Sequence, residues 1–244
     1  MSKLPNPPLV EVIFEIRWNA NDKNSLDKFQ ILLGSMFAEL KSDFPKVITL
    51  QPDAALPVNA FIGIPTHRFT SETGYPMYQL GPGVLSVNMT NPDYVWESFI
   101  EAIKKVTKVF ESLSELQGKK ITIALKYLDF FKCNFSEIDL ADYIKTNFHL
   151  TVDAPYLNDS KAKTFSFATM RDVEQGHFTM TMNTGYNNVR GNQIEGIITE
   201  SNIASEIPFE ELTSYIDDKL PMAHEHLGKF FKKMTEGELY ASFE

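Results

Sequence analysis

The ten residues from Leu9 to Trp18 constrain the fold more than any other part of the sequence. Every second side chain from Val10 onward is apolar, and Glu11, Glu15 and Arg17 lie at positions between them. A period of two, rich in β-branched residues, predicts a strand with one buried and one polar face. Such a strand needs a hydrophobic layer on one side only, so we expect a sheet that helices cover on one face.

Four segments repeat apolar residues every three or four positions, which predicts helices. Ser25 is the expected N-cap of the first helix. We expect Asn91-Pro92-Asp93 to cap the second helix and Gly118 to end it. Pro221 predicts a kink or a break in the last helix. The four segments cover about residues 25–43, 94–116, 138–147 and 208–234.

Strand-like alternation recurs along the rest of the chain. The sequence Gly81-Pro82-Gly83 is typical of a turn that joins two strands into a hairpin. A proline-rich stretch over residues 52–74 has no clear period, and no element is predicted there. The further strands are predicted over residues 47–50, 75–80, 84–90, 121–133, 164–170, 177–184 and 194–203.

The predicted elements occur in the same order twice: a strand, a helix, several strands and a long helix. The first half covers residues 1–118 and the second covers residues 119–244, and we expect both to form one compact domain. The order fits an α+β fold in which two β-α-β(n)-α halves form one curved antiparallel sheet with helices on one face. This layout resembles the duplicated TATA-binding-protein-like fold, and a helix-grip-like fold is the alternative.

The alternation also identifies side chains on the sheet face that the helices leave open. This candidate binding face mixes charged, polar and aromatic side chains from strands of both halves. The alternative is a face that simply contacts water, as one face of many antiparallel sheets does. The candidate residues are Glu11, Glu15, Arg17, Ser86, Asn88, Lys126, Phe130, Lys132, His177, Thr179 and Asn183.

The composition disfavours several classes of protein. The 244 residues include 19 Phe and 9 Tyr, whereas disordered chains are poor in aromatic residues. The single cysteine, Cys133, excludes an internal disulfide and fits a reducing cytoplasm, and we expect it to be a buried, unreactive thiol. No run of about 20 apolar residues predicts a membrane span. The net charge of −9 disfavours binding of duplex DNA.

Common catalytic and metal-binding motifs are absent from the sequence. It contains no Walker A loop, no Gly-x-Ser-x-Gly elbow and no HExxH motif. His224 and His226 are two residues apart, so their side chains diverge on a helix and do not form a pair of metal ligands. We expect Glu15 to form an ion pair with Arg17 or with a lysine on a neighbouring strand. The sequence predicts no catalytic residue, no metal site and no cofactor.

Three stretches carry a resemblance to a known family. They are Leu4-Pro5-Asn6-Pro7-Pro8-Leu9-Val10-Glu11-Val12-Ile13-Phe14-Glu15-Ile16-Arg17, Tyr78-Gln79-Leu80-Gly81-Pro82-Gly83-Val84-Leu85-Ser86-Val87-Asn88 and Leu125-Lys126-Tyr127-Leu128-Asp129. The first resembles the signature of a sporadically distributed prokaryotic family of uncharacterised proteins of about this length, and the other two fit the same family. The resemblance implies no established activity. A patchy distribution implies an accessory gene that moves horizontally, as in phage defence or toxin–antitoxin systems.

These observations favour a non-enzymatic binding or regulatory module. Its open sheet face would hold a partner protein or a small ligand, and a homodimer is among the expected partners. We expect a cytoplasmic location, no membrane association and no preference for nucleic acid.

Two alternative functions stay open. The first is an enzyme with an unfamiliar site for a nucleotide or phosphoester, which would bring His67 or His177 close to a carboxylate on the first strand. The second is a binder of single-stranded nucleic acid, which would use Phe130 for stacking and Lys126 and Lys132 for charge.

Overall fold

Nine strands and six helices make up the elements of the computed structural model, which describes residues 4–21, 23–50, 58–90, 92–152, 162–189 and 191–244. The strands are β1 (Leu9–Trp18), β2 (Lys46–Thr49), β3 (His67–Thr70), β4 (Met77–Gly81), β5 (Val84–Thr90), β6 (Lys120–Lys132), β7 (Ser166–Val173), β8 (Gly176–Val189) and β9 (Asn192–Pro208). The helices are α1 (Lys23–Leu40), α2 (Trp96–Leu113), α3 (Leu140–Phe148), α4 (Leu212–Ser214), α5 (Leu220–Met234) and α6 (Glu238–Ala241).

The strands form one open antiparallel sheet in the order β2-β3-β4-β5-β1-β6-β9-β8-β7. The prediction of an α+β fold with an antiparallel sheet is therefore confirmed. β1 and β6, the strands that open the two predicted halves, are neighbours in the middle of this order. The duplication of the halves 1–118 and 119–244 stays a prediction.

The chain divides into two compact units, each built from separate segments. The terminal unit contains Met1–Val10, Tyr127–Ile203 and Met222–Glu244. The central unit contains Glu11–Lys126 and Ala204–Pro221. Each unit has its own hydrophobic core, and the two are described separately below.

The core of the central unit lies between β1 and α2. Val12, Phe14 and Ile16 on β1 are fully buried, as the alternation predicts. The Trp18 ring, two residues further along the same face, lies 5.2 Å from the ring of Phe110 on α2. Helix α1 packs against α2. The helices of this unit therefore cover the apolar face of β1 and leave Glu11, Glu15 and Arg17 on the other face.

Both long helices of this unit begin away from their predicted caps. Helix α1 begins at Lys23, so Ser25 lies within its first turn and is not its N-cap. Helix α2 has Val95 as N-cap, without a side-chain cap. The predicted cap at 91–93 is wrong because a turn closed by the Tyr94 N–H and the Thr90 carbonyl precedes the helix; Asn91 itself lies outside the described residues. The helix ends at Leu113, before Gly118, which has a left-handed φ of 72° in the turn before β6.

Strand β3 lies in the stretch 52–74 for which no element was predicted. It has only four residues, too few for a period of two to be distinguished from chance. A 3-10 turn at Val58–Phe61 precedes it, and residues 51–57 of the same stretch lie outside the described residues.

Aromatic residues form the core of the terminal unit around Phe131 on β6. The Phe131 ring lies 4.9 Å from Phe148 on α3, 6.4 Å from Phe231 on α5 and 6.0 Å from Phe243 after α6. The Asn6 N–H donates a 3.0 Å hydrogen bond to the Phe243 carbonyl. The residues after the long helix therefore complete this core, although the sequence predicted no helix there.

The last long helical segment changes its winding before Pro221. After a 3-10 turn at Phe209–Glu211 and α4, residues Tyr215–Lys219 form a π turn, in which the Leu220 N–H donates to the Tyr215 carbonyl. Proline has no N–H with which to continue the α-helical ladder, and a π turn re-routes the bonds of the preceding residues. Helix α5 then begins at Leu220 and continues through Pro221. Of the predicted kink or break, the break does not occur, and the change of winding lies at Tyr215–Lys219.

Candidate functional site

The strand register of the central unit aligns polar side chains on the sheet face opposite its helices. Glu15 on β1 lies opposite Ser86 on β5, Ser86 lies opposite Gln79 on β4, and Gln79 lies opposite Arg68 on β3. Directly opposed residues of an antiparallel pair point to the same face, so these four side chains form one row. Asn88 lies two residues from Ser86 and therefore on the same face.

Ser86 and Asn88 connect this row to Glu11 through hydrogen bonds. The Ser86 hydroxyl donates to Asn88 Oδ1 at 2.7 Å, and Asn88 Nδ2 donates to Glu11 Oε1 at 2.9 Å. Ser86 is only 4% exposed and Asn88 only 2% exposed. The alternation predicted both residues on a face in contact with water, whereas the structure buries them.

Glu15 lies at the centre of a second group of charges. Arg17 donates to both of its carboxylate oxygens, from Nε at 2.7 Å and from Nη2 at 3.0 Å. Lys126 Nζ donates to Glu15 Oε1 at 2.8 Å. Burial favours the protonated form of Glu15, but the hydrogen bonds from Arg17 and Lys126 outweigh it and lower the pKa. Glu15 was predicted to pair with Arg17 or with a lysine on a neighbouring strand, and in the structure it pairs with both Arg17 and Lys126.

The pKa of Glu11 shifts in the opposite direction to that of Glu15. Burial raises the pKa of Glu11, and the hydrogen bond from Asn88 and the charge of Arg68 only partly oppose this effect. The Tyr75 hydroxyl, hydrogen-bonded to Thr90, also feels the charges of Glu11 and Arg68. Thr90 is the residue opposite Glu11 in the register. Tyr75 and Arg68 therefore lie within electrostatic range of the same carboxylate.

A loop crosses the end of this face beside Arg17. Arg17 Nη1 donates to the Gly63 carbonyl at 2.9 Å. A Cβ atom at Gly81 on β4 would collide with the Ile64 carbonyl, so only glycine allows the loop to approach the strand. We call the residues of this face the polar cluster: Glu11, Glu15, Arg17, Arg68, Tyr75, Gln79, Ser86, Asn88 and Lys126.

The other candidate residues belong to the terminal unit. His177 is exposed and bonds Asp172 at 2.6 Å, and the Thr179 hydroxyl accepts from Asn202 at 3.3 Å. Asn183 Oδ1 accepts from Ser166 at 2.7 Å. These three side chains alternate with Phe178, Met180 and Met182, which are buried, and Phe178 packs on Phe230 of α5.

Phe130 and Lys132 alternate with the core residue Phe131 on β6. The Phe130 ring lies against Gly196, where a Cβ atom would contact it, and Lys132 is exposed. The structure thus assembles Glu11, Glu15, Arg17, Ser86, Asn88 and Lys126 into one cluster. The five candidates of the terminal unit are not part of it.

The side chains considered for catalysis or metal binding have other partners. His67 Nδ1 lies 3.0 Å from the Thr66 hydroxyl, and His67 is on the face opposite the polar cluster, since it alternates with Arg68. Cys133 is half-buried rather than fully buried, and burial together with the charge of Glu195 raises its pKa to about 11. The thiol is therefore protonated at neutral pH, as an unreactive cysteine requires.

His224 and His226 diverge on α5, as their spacing predicts. His224 Nδ1 lies 2.7 Å from the Tyr127 hydroxyl, while the His226 ring contacts Phe178. Within the described residues, no group of three or more His, Cys, Asp or Glu side chains is arranged to hold a metal ion. None of the described helices has the length and apolar character needed to cross a membrane.

Sequence reasoning missed Arg68, Tyr75, Gln79 and Asp129. Gln79 lies in the strand predicted over residues 75–80, but it was not assigned to the candidate binding face. Arg68 and Tyr75 lie in or next to the stretch without a clear period, so no face was assigned to them. Asp129 is 5% exposed on β6, and burial raises its pKa to about 7. The sequence did offer one signal for Asp129: its acidic side chain lies between the apolar residues Leu128 and Phe130 in a predicted strand.

Comparisons with known proteins add no information about this site. No family model matches the chain, and no curated protein matches it. Among solved structures, the crystal structure of an unknown protein from Galdieria sulphuraria was matched at 10% identity, over 90% of this chain and 94% of that chain, with a TM-score of 0.14. A similarity at this level carries no argument about fold or function.

Proposed function

We propose that the protein is a non-enzymatic binding or regulatory module and that the polar cluster of the central unit holds its ligand. The ligand is a small molecule or a segment of a partner protein that offers hydrogen-bonding groups to Glu11, Gln79 and Arg68. The side chains of Ser86 and Asn88, which are buried on the same face, orient the carboxylate of Glu11.

The burial of Ser86 and Asn88 on a sheet face is the observation that carries this proposal. Apolar residues at these two positions would avoid the free-energy cost of removing hydroxyl and amide groups from water. Shifted pKa values and local departures from apolar packing cluster at sites of binding or chemistry. The raised pKa of Glu11, which Asn88 bonds, is a second feature of the same kind.

Several further elements of the proposal come from the sequence. The resemblance of the N-terminal stretch to the sporadically distributed prokaryotic family supports an accessory role in phage defence or a toxin–antitoxin system. The repeated order of elements supports an internal duplication. The single cysteine supports a cytoplasmic location, and a second copy of the chain is an additional candidate partner.

Affinity selection from a cell extract tests the proposal. The wild-type protein is immobilised and incubated with the extract, and the small molecules and proteins that it retains are identified by mass spectrometry. Glu11→Gln keeps an acceptor for Asn88 and removes the charge, so we expect retention of the ligand to fall at least tenfold.

Glu97→Gln, an exposed change in the first turn of α2, is the matched control. It should retain the ligand as the wild type does. The proposal is overturned if the wild type retains no molecule above the level of an unrelated protein, or if Glu11→Gln and Glu97→Gln retain the same amount.

A further inference from the structure

We infer that the polar cluster recognises a small zwitterion, with its anionic group on Arg68 and its ammonium group on Glu11. This inference rests on the proposed function and specifies the chemical class of its ligand. It follows from the way in which the charges of the cluster are paired.

The first observation is that Glu15 is fully engaged within the protein. Arg17 and Lys126 both bond its carboxylate, whose side chain is only 12% exposed. Arg17 also bonds the Gly63 carbonyl. These three charges hold the sheet and the crossing loop together, so they are not the groups that a ligand would contact.

The second observation is that Arg68 has a donor without an acceptor. Its Nε is buried, and among the described residues no acceptor bonds it. Arginine presents its N–H groups in a planar fork that matches the two oxygens of a carboxylate. A buried donor without a partner destabilises the protein, and a ligand with an anionic group would supply the missing acceptor.

The third observation concerns Glu11, the acidic counterpart of Arg68. The two side chains interact through space, yet within the described part of the chain no ion pair shorter than 4.0 Å joins them. One oxygen of Glu11 accepts from Asn88, and the Tyr75 hydroxyl lies nearby. An ammonium group at Glu11 would supply the positive charge that stabilises the ionised carboxylate.

The side chains between Arg68 and Glu11 on this face are polar and uncharged. Gln79 lies opposite Arg68 and is half-buried, whereas Ser86 and Asn88 beyond it are buried. Arg68, Glu11 and Tyr75 are themselves half-buried, so solvent reaches the edge of this surface. Arg68 offers a positively charged donor and Glu11 a negatively charged acceptor, with uncharged polar side chains between them. This arrangement complements a ligand that carries both charges.

Titration calorimetry with single probes tests this inference. Glycine, β-alanine and γ-aminobutyric acid place the two charges at increasing separations, while acetate and methylammonium each carry one of them. We expect one of the three zwitterions to bind the wild type at least tenfold more tightly than either singly charged probe.

The variants assign each charge to its residue. Arg68→Met and Glu11→Gln should each weaken binding of that zwitterion at least tenfold, and Arg68→Lys should recover part of the loss because it restores charge without the fork. Glu97→Gln should bind as the wild type does. Far-UV circular dichroism and the melting temperature identify any variant that does not fold, and the probe comparison on the wild type needs no variant.

The inference is overturned if none of the three zwitterions binds, or if acetate or methylammonium binds as tightly as they do. It is also overturned if well-folded Arg68→Met and Glu11→Gln bind the zwitterion unchanged. The wild type could instead retain from the extract a molecule that is not a zwitterion and that Glu11→Gln does not retain. This result would support the proposed function and overturn only the present inference.

Discussion

At the scale of single residues, Asp129 is the least expected feature of the molecule. It lies on β6 between Tyr127, which bonds His224 on α5, and Phe131, whose ring stacks on Phe231 of the same helix. Alternate residues of a strand share a face, so the carboxyl group points towards α5. Burial is the cause of its raised pKa of about 7.

Asp129 should make the stability of the protein depend on pH. Because the pKa of Asp129 is higher in the folded state than its ordinary value of 3.8, the unfolded state releases the proton first as the pH rises. Between about pH 4 and pH 7 the wild type should therefore lose stability relative to Asp129→Asn. The difference between their free energies of unfolding should change by on the order of 3 kcal/mol. Urea unfolding at several pH values measures this difference.

Glu174→Gln, an exposed change in the turn between β7 and β8, is the control. The change with pH should be larger for Asp129→Asn than for Glu174→Gln. An equal change for the two variants would show that Asp129 is ionised in the folded protein at neutral pH.

Glu15 should have the opposite dependence on pH. Its pKa is lowered in the folded state, so its contribution to stability is present above about pH 4.5 and is lost as the pH falls through the lowered pKa. At pH 7 we expect Glu15→Gln to reduce the free energy of unfolding by about 2 kcal/mol, because Arg17 and Lys126 lose a charged acceptor.

The surface pair Lys120–Glu206 provides the comparison for Glu15, because its side chains are 74% and 59% exposed. Glu206→Gln should change stability much less than Glu15→Gln does, since exposed ion pairs contribute little. Equal losses for Glu15→Gln and Glu206→Gln would contradict a structural role for the Glu15 ion pairs.

At the scale of elements, the sequence predicts those that have a long and regular period. Strand β1 was predicted over residues 9–18 and is observed at Leu9–Trp18, because five buried or half-buried apolar residues alternate without interruption. Strand β3 was missed because four residues carry too little pattern. The predicted cap of α1 was wrong because the helix already begins at Lys23, two residues before Ser25. The predicted cap of α2 was wrong because a backbone turn, rather than a side-chain cap, precedes that helix.

Two glycines of the central unit should respond oppositely to substitution by alanine. Gly34 lies within α1, and an added Cβ would meet no atom within 4 Å, so Gly34→Ala should stabilise the protein by about 1 kcal/mol through helix propensity. Gly81→Ala should destabilise it by about 2 kcal/mol or more, because its Cβ would collide with the Ile64 carbonyl. Urea unfolding measures both changes.

The loop contact at Gly81 makes the second substitution informative about the polar cluster. If Gly81→Ala has no effect on stability, the loop at Gly63 and Ile64 does not lie across the end of β4. A loss in Gly34→Ala would contradict an exposed helical environment for Gly34.

At the scale of the whole molecule, long-range pairing decides what the sequence does not reveal. The predicted elements identify an α+β fold and the polar face of β1, and the structure confirms the fold. The register that places Arg68 and Gln79 in line with Ser86 and Glu15 pairs residues that are up to 71 positions apart (86 − 15), and periodicity carries no information about such pairing. The composition of the candidate site was therefore only partly predictable.

The segments of the two units predict how fragments of the chain behave. The central unit contains the start of β6 and the segment Ala204–Pro221. A cut between residues 118 and 119 separates both from the rest of this unit. Phe209, which packs at 5.9 Å from Phe110, is lost in the same way. We expect neither 1–118 nor 119–244 to fold alone, as measured by circular dichroism and by cooperative unfolding in urea.

Mixing the two fragments provides the positive control, since a recovered native spectrum would show that the cut itself is tolerated. A cooperative unfolding transition in either isolated fragment would contradict the expectation and would favour independent folding of the predicted halves.

The environment of Cys133 has a practical consequence for spectroscopy. With a pKa of about 11 instead of the ordinary 9.0, its thiolate population at neutral pH is roughly a hundredfold smaller than that of a solvent-exposed cysteine. A cysteine introduced at an exposed position, such as Thr73 in the turn before Tyr75, should therefore react selectively with a maleimide dye in the native background. Fluorescence reporters can then be attached beside the polar cluster without first replacing the natural cysteine.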